Sequence, residues 1–147
     1  MWFPYTSIGI LLLIVLFMPK KITLREMYFS IGVVGFGAWL GDALVGDVFK
    51  AFRIGPSSDT YMIDYIFISV VPVAIGLIFL NFLTQTKSAL YKWLWVVIAF
   101  LLEWGAVASG YMVNQGWKTW YSIPVFIFVF VFFLPWHLKV MRNSNRV

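Results

Sequence analysis

Glu103 lies inside the apolar run Leu94 to Val113, and Asp42 lies inside an earlier apolar run that ends near Phe49. Carboxyl groups in such surroundings can carry a proton, hold a cation, donate a hydrogen bond when neutral, or divide acid and base roles as a pair. On a helix, residues three, four and seven apart share a face, so Ala99, Glu103, Ala106 and Gly110 form one stripe. Gly35, Ala38, Asp42 and Gly46 form another, with Gly37 and Gly41 beside it. Small residues let helices approach closely in lipid, where packing and hydrogen bonds replace the hydrophobic drive. The spacing therefore predicts that both acids point into a bundle and that the second and fourth helices meet through these seams.

At 1.5 Å per residue Asp42 lies roughly 27 Å, and Glu103 roughly 22 Å, from the start of its helix. Asp64, about 6 Å into the third apolar segment, is a third candidate, without a small-residue seam. No Lys, Arg or His lies near the centre of any apolar segment. A desolvated Glu103 without a cation is therefore expected in its neutral form unless water or a bound cation reaches it. Three roles follow for the acids: interhelical hydrogen bonding, a proton or cation pathway running from Glu103 through Asp42, or acid–base chemistry shared between them.

The elements that must position these acids are membrane helices. Of 147 residues, 62% are hydrophobic and only 12% charged, against about a quarter charged in soluble domains. Many of the 8 Trp and 7 Tyr stand near the ends of apolar runs, as headgroup-level aromatics do. Five helices are predicted in a single transmembrane domain, at 2–18, 24–49, 60–83, 88–112 and 119–140. Each approaches the roughly 20 residues that cross about 30 Å of hydrocarbon. Pro19 ends the first, and Thr23 with Glu26 forms a capping-box pattern for the second. Gly55-Pro56-Ser57-Ser58 carries turn chemistry in the longest loop, and Asn114-Gln115-Gly116 marks the last break.

Lys20, Lys21, Arg25, Lys87, Lys92, Lys139, Arg142 and Arg146 flank one side of this arrangement, and Lys50, Arg53 and Lys118 the other. The positive-inside rule then predicts an external N-terminus and a cytoplasmic C-terminus. The first apolar run lacks a leading positive region and a small-residue cleavage pattern, so it is expected to be a retained span.

Several chemistries are excluded or unsupported. The absence of Cys removes disulfides, thiolate metal sites and cysteine nucleophiles. A net charge of +5 sits in short flanks with no stripe to follow a phosphate backbone, so lipid rather than nucleic acid is the expected partner. His137 is the lone histidine, beside Pro135 and Trp136, and reads as an interfacial polar residue. No cofactor or metal is expected. HExxH, GxSxG and glycine-rich phosphate loops are missing. Asn81 reads as a cap or crosslink between helices, Pro72 as an inert break in the third, and the phenylalanines of the fifth, Phe130 among them, as lipid-facing bulk.

Pro19-Lys20-Lys21, Glu26 with Tyr28, Asp42, Leu80-Asn81-Phe82, Glu103-Trp104, the run Gly116 to Ser122 and His137 span most of the chain. In order and spacing they resemble a small, largely uncharacterised family of multi-span membrane proteins of spore-forming Gram-positive bacteria. The segment Phe49 to Asp59 is longer and more polar than that family's pattern. The resemblance implies a bacterial cytoplasmic membrane and brings no activity with it. The expectation is thus an all-α, polytopic membrane protein: a non-enzymatic accessory or structural component, or alternatively a proton-coupled or cation-conducting protein using Glu103 and Asp42. The seams could equally serve a homodimer or another membrane protein.

Overall fold

The computed structural model describes residues 1–86 and 88–144; Lys87 and Arg146, both counted in the charge asymmetry, lie outside the described residues. The chain is helical almost throughout. Helix α1 covers Trp2–Phe17 and α2 covers Leu24–Gly41, continuing as a π-helical turn through Asp42–Val48. Helix α3 is Met62–Leu83, α4 is Ala89–Ala108, and α5 runs Thr119–Asn143 with a π-helical stretch at Phe128–Phe133. The last four are long and apolar enough to cross a membrane; α1 is a shorter apolar helix.

A two-stranded ribbon, which the turn-rich loop composition did not foretell, joins the α2–α3 connection to the α4–α5 connection. Strand β1 (Phe52–Ile54) pairs antiparallel with β2 (Met112–Asn114), with Arg53 opposite Val113. The Ala51 carbonyl extends the pairing by accepting from the N–H groups of Gln115 and Trp117. Two loops thereby become one platform at one end of the bundle.

At the opposite end the chain is tied by side chains. Thr23 and Glu26 form a reciprocal capping box, Thr23 Oγ1 accepting from Glu26 N and Glu26 Oε2 from Thr23 N. This is the arrangement that a Thr and a Glu three apart allow at a helix start. Asn81, fully buried near the end of α3, accepts from Lys21 N at 2.7 Å and donates to the Pro19 carbonyl at 2.9 Å. One amide side chain thus closes the α1–α2 turn onto α3. Lys20 Nζ folds back onto the Val15 carbonyl.

Helix α3 is the core of the bundle, with α1 and α2 along it and the end of α5 against it. Phe79 and Leu80 are wholly buried, and Phe79 packs on Tyr91, Trp95 and Phe130 with ring centres 5.1–6.1 Å apart. Phe130 is therefore a core residue, whereas Phe128 and Phe132 remain exposed. An all-Phe run conceals this distinction, because only the helix's rotation decides which rings turn inward.

The expected pairing of α2 with α4 gives way to two other pairings: α2 packs along α3, and α4 packs on α5. A Cβ added at Gly35 would touch Val73, and one at Gly76 would come within 3.2 Å of Val34. The close approach is thus made by one glycine from each of α2 and α3. Seams show that a helix can be approached closely; they do not say by which neighbour.

Candidate functional site

Helix α4 stops at Ala108 because Gly110 adopts φ +76, and the Gly110 and Tyr111 N–H groups turn back to the Val107 and Ala106 carbonyls. This pair of hydrogen bonds is the Schellman motif, which favours glycine at its left-handed position. Gly110 is therefore the cap of α4 and not part of a packing seam, correcting the expected stripe; the helix ends before it. Ala99 and Ala106 are buried, Gly35 and Ala38 half-buried. Gly46 lies against Phe52 and the Asp42 carboxylate.

The Schellman turn aims Tyr111 at the start of α3. Its hydroxyl donates to Asp64 Oδ1 at 2.6 Å, while Asp64 Oδ2 accepts from Tyr61 N at 2.8 Å. Asp64 has no exposed surface. It is an acid in the first turn of a helix, where the helix dipole and unpaired N–H groups favour negative charge. Burial, and then the adjoining Asp64 carboxylate, push the Tyr111 phenol well above the usual tyrosine range. Gly55 completes the node: its N–H donates to the Tyr111 carbonyl, its φ is +97, and a Cβ there would sit 2.8 Å from Asp64 Oδ2. Only a glycine meets both demands.

Glu103, half-buried on α4, accepts from Ser122 Oγ at 2.6 Å, and Trp117 Nε1 donates to the same hydroxyl at 3.0 Å. The chain Trp117–Ser122–Glu103 ties the entry of α5 to α4. Ser122 and Trp117 stand in the Gly116–Ser122 run, but neither is an ionisable group, so the search for acids in the sequence passed over them.

Asp42 is placed differently. It sits where α2 widens into its π-helical turn and lines a cavity of about 260 Å³ with Asp47, Lys50 and Arg53. Asp64 contributes to the floor of this cavity, whereas Glu103 does not line it. The fold thus gathers Asp42 and Asp64 at one end and leaves Glu103 at a separate contact.

The opposite end holds two polar pairings that no sequence spacing indicates. Arg142 Nε donates to Glu26 Oε1 at 3.1 Å, and the Ser30 hydroxyl lies 3.2 Å from His137 Nε2, both residues buried. His137 is accordingly an interhelical partner of α2. The signal was weak, because 107 residues separate the Ser30–His137 pair. Among the described residues no group of three or more His, Asp or Glu could hold a metal ion.

No family model matches this chain, and neither curated proteins nor solved structures show a significant match to it.

Proposed function

We propose that the protein is a five-span integral membrane protein, N-terminus outside and C-terminus cytoplasmic, serving as a non-enzymatic accessory or structural component of a membrane assembly. The single observation that carries this reading is that Glu103 and Asp64 are both occupied as hydrogen-bond acceptors between elements, by Ser122 and by Tyr111. Acids used in this way hold helices together. Four helices of sufficient length and apolarity support a multi-pass arrangement. For α1, about 24 Å long, spanning draws on local thinning of the bilayer and on flanking Trp2 and Lys20. The surplus of Lys and Arg around Lys20, Lys92 and Lys139 supports the orientation, and the resemblance noted above supports a bacterial cytoplasmic membrane.

A proton- or cation-conducting role is the second reading, favoured by Asp42, which lines an open cavity and whose side chain takes part in no hydrogen bond or ion pair among the described residues. Against it stands the separation of Glu103 from that cavity.

Because the chain has no cysteine, single-cysteine labelling at Ser58→Cys and Ser144→Cys, both exposed positions, tests the topology. Labelling of Ser58→Cys in intact cells, with Ser144→Cys reactive only after lysis, is the expected result. Glu103→Gln, whose amide oxygen can still accept from Ser122, is expected to melt as the wild type does. A collapse of the folded protein in that variant would contradict the hydrogen-bonding role.

A further inference from the structure

The cavity beside the ribbon has a composition that structural packing does not explain. Its lining carries three acids, Asp42, Asp47 and Asp64, and two bases, Lys50 and Arg53; Asp64 is already taken up by Tyr111 and Tyr61 N, which leaves Asp42 and Asp47 to face Lys50 and Arg53. Among the described residues none of the four forms an ion pair or a side-chain hydrogen bond. Opposite charges lining one space ordinarily neutralise one another. Lys50 occupies a left-handed backbone conformation at φ 50, and Arg53 stands in strand β1 opposite Val113. Arg53 Nε is moreover buried with no acceptor among the described residues. A buried donor left unpaired is costly, so it is a position at which an incoming acceptor is favoured.

We propose that this cavity binds a small zwitterion, its ammonium group between Asp42 and Asp47 and its anionic group on Arg53 and Lys50. An ion of one sign entering the cavity meets two groups that attract it and two that repel it. A molecule carrying both charges satisfies all four. The planar guanidinium of Arg53 suits a carboxylate or a phosphate, each of which can accept two parallel N–H bonds. About 260 Å³ accommodates a group of several heavy atoms, since a water molecule takes about 30 Å³. Trp39 and Tyr65, stacked with ring centres 5.7 Å apart and planes 10° from parallel, supply a rigid apolar wall for the carbon chain between the charges. The same chemistry occurs in a phosphoethanolamine lipid headgroup and in a free amino acid. The inference does not depend on the accessory role proposed above.

Isothermal titration of the full-length protein in detergent micelles tests it, with four probes: glycerophosphoethanolamine, alanine, glycerophosphoglycerol and ethylamine. Saturable binding of at least one of the first two, with the single-sign probes at least tenfold weaker, is the expected result. Glycerophosphoethanolamine binding more tightly than alanine assigns the site to a lipid headgroup, and the reverse order to a free amino acid. Asp42→Asn and Arg53→Gln should each weaken that binding tenfold or more, with the ligand-free melting temperature no lower than that of the wild type. Should either variant fail to fold, Asp47→Asn, at an exposed position, carries the same expectation. Absence of zwitterion binding, equal binding of the single-sign probes, or wild-type affinity in the folded variants would overturn the proposal.

Discussion

The Tyr111 hydroxyl reaches Asp64 Oδ1 at 2.6 Å, so the residue that follows the cap of α4 locks the first turn of α3. Both groups are buried, with Tyr111 3% exposed and Asp64 not exposed at all. The contact joins two connections that also share the β1–β2 ribbon.

Removing the hydroxyl leaves a buried carboxylate short of one donor. Tyr111→Phe is expected to destabilise the protein by about 1–3 kcal/mol, the cost of leaving one buried group unsatisfied. Asp64→Asn should cost a similar amount, and the double variant less than the sum, because the residues form one contact. Thermal unfolding in detergent, run as a double-mutant cycle, measures this. Additive losses would show that the two residues act independently.

The raised pKa of Tyr111 carries a pH dependence of definite sign. Its folded value lies above that of an unfolded tyrosine, which is about 10. The folded state therefore holds the phenolic proton more tightly, and the resulting stability is complete below about pH 10 and lost as pH rises through the folded value. The melting-temperature advantage of wild type over Tyr111→Phe should shrink as pH rises above about 10. An advantage that grows with pH would reverse the sign of this linkage.

Asn81 is expected to be costly at the other end. Asn81→Leu removes the partner of Lys21 N and of the Pro19 carbonyl while keeping a similar volume. About 1–3 kcal/mol for each group left unsatisfied follows, and the α1–α2 turn should become open to protease. Limited proteolysis cutting within Pro19–Thr23 in the variant, and not in the wild type, is the expected pattern. Unchanged protection would mean that the turn is held by α1 and α2 alone.

The parts of this structure that the sequence makes legible are those governed by local chemistry. Apolar length marks the four long helices, and Thr23 with Glu26 marks the start of α2, since a capping box is completed within four residues. Non-local pairing is not legible in the same way. Phe130 and Phe128 are the same residue type two positions apart, yet one is core and the other exposed. The glycines of α2 fit any close neighbour, and α3, through Gly76, is the one that accepts it. Gly110 shows a different difficulty: at helical spacing from Glu103 it continues a stripe, but its freedom at positive φ is what ends the helix. For the site, Asp42, Asp64 and Glu103 stand out as acids in apolar surroundings, but the partners of Glu103 and Asp64, Ser122 and Tyr111, come from segments 19 and 47 residues away. No periodicity connects such pairs.

The central claim is that the carboxyl groups bind helices together and do not carry charge across a membrane. Purified protein reconstituted in liposomes holding a pH-sensitive dye, under an imposed proton or cation gradient and with a Glu103→Gln sample beside it, tests this most directly. The account predicts dye traces identical to protein-free liposomes for both proteins. Flux above that baseline in the wild type, abolished by Glu103→Gln in a variant that still folds, would contradict it.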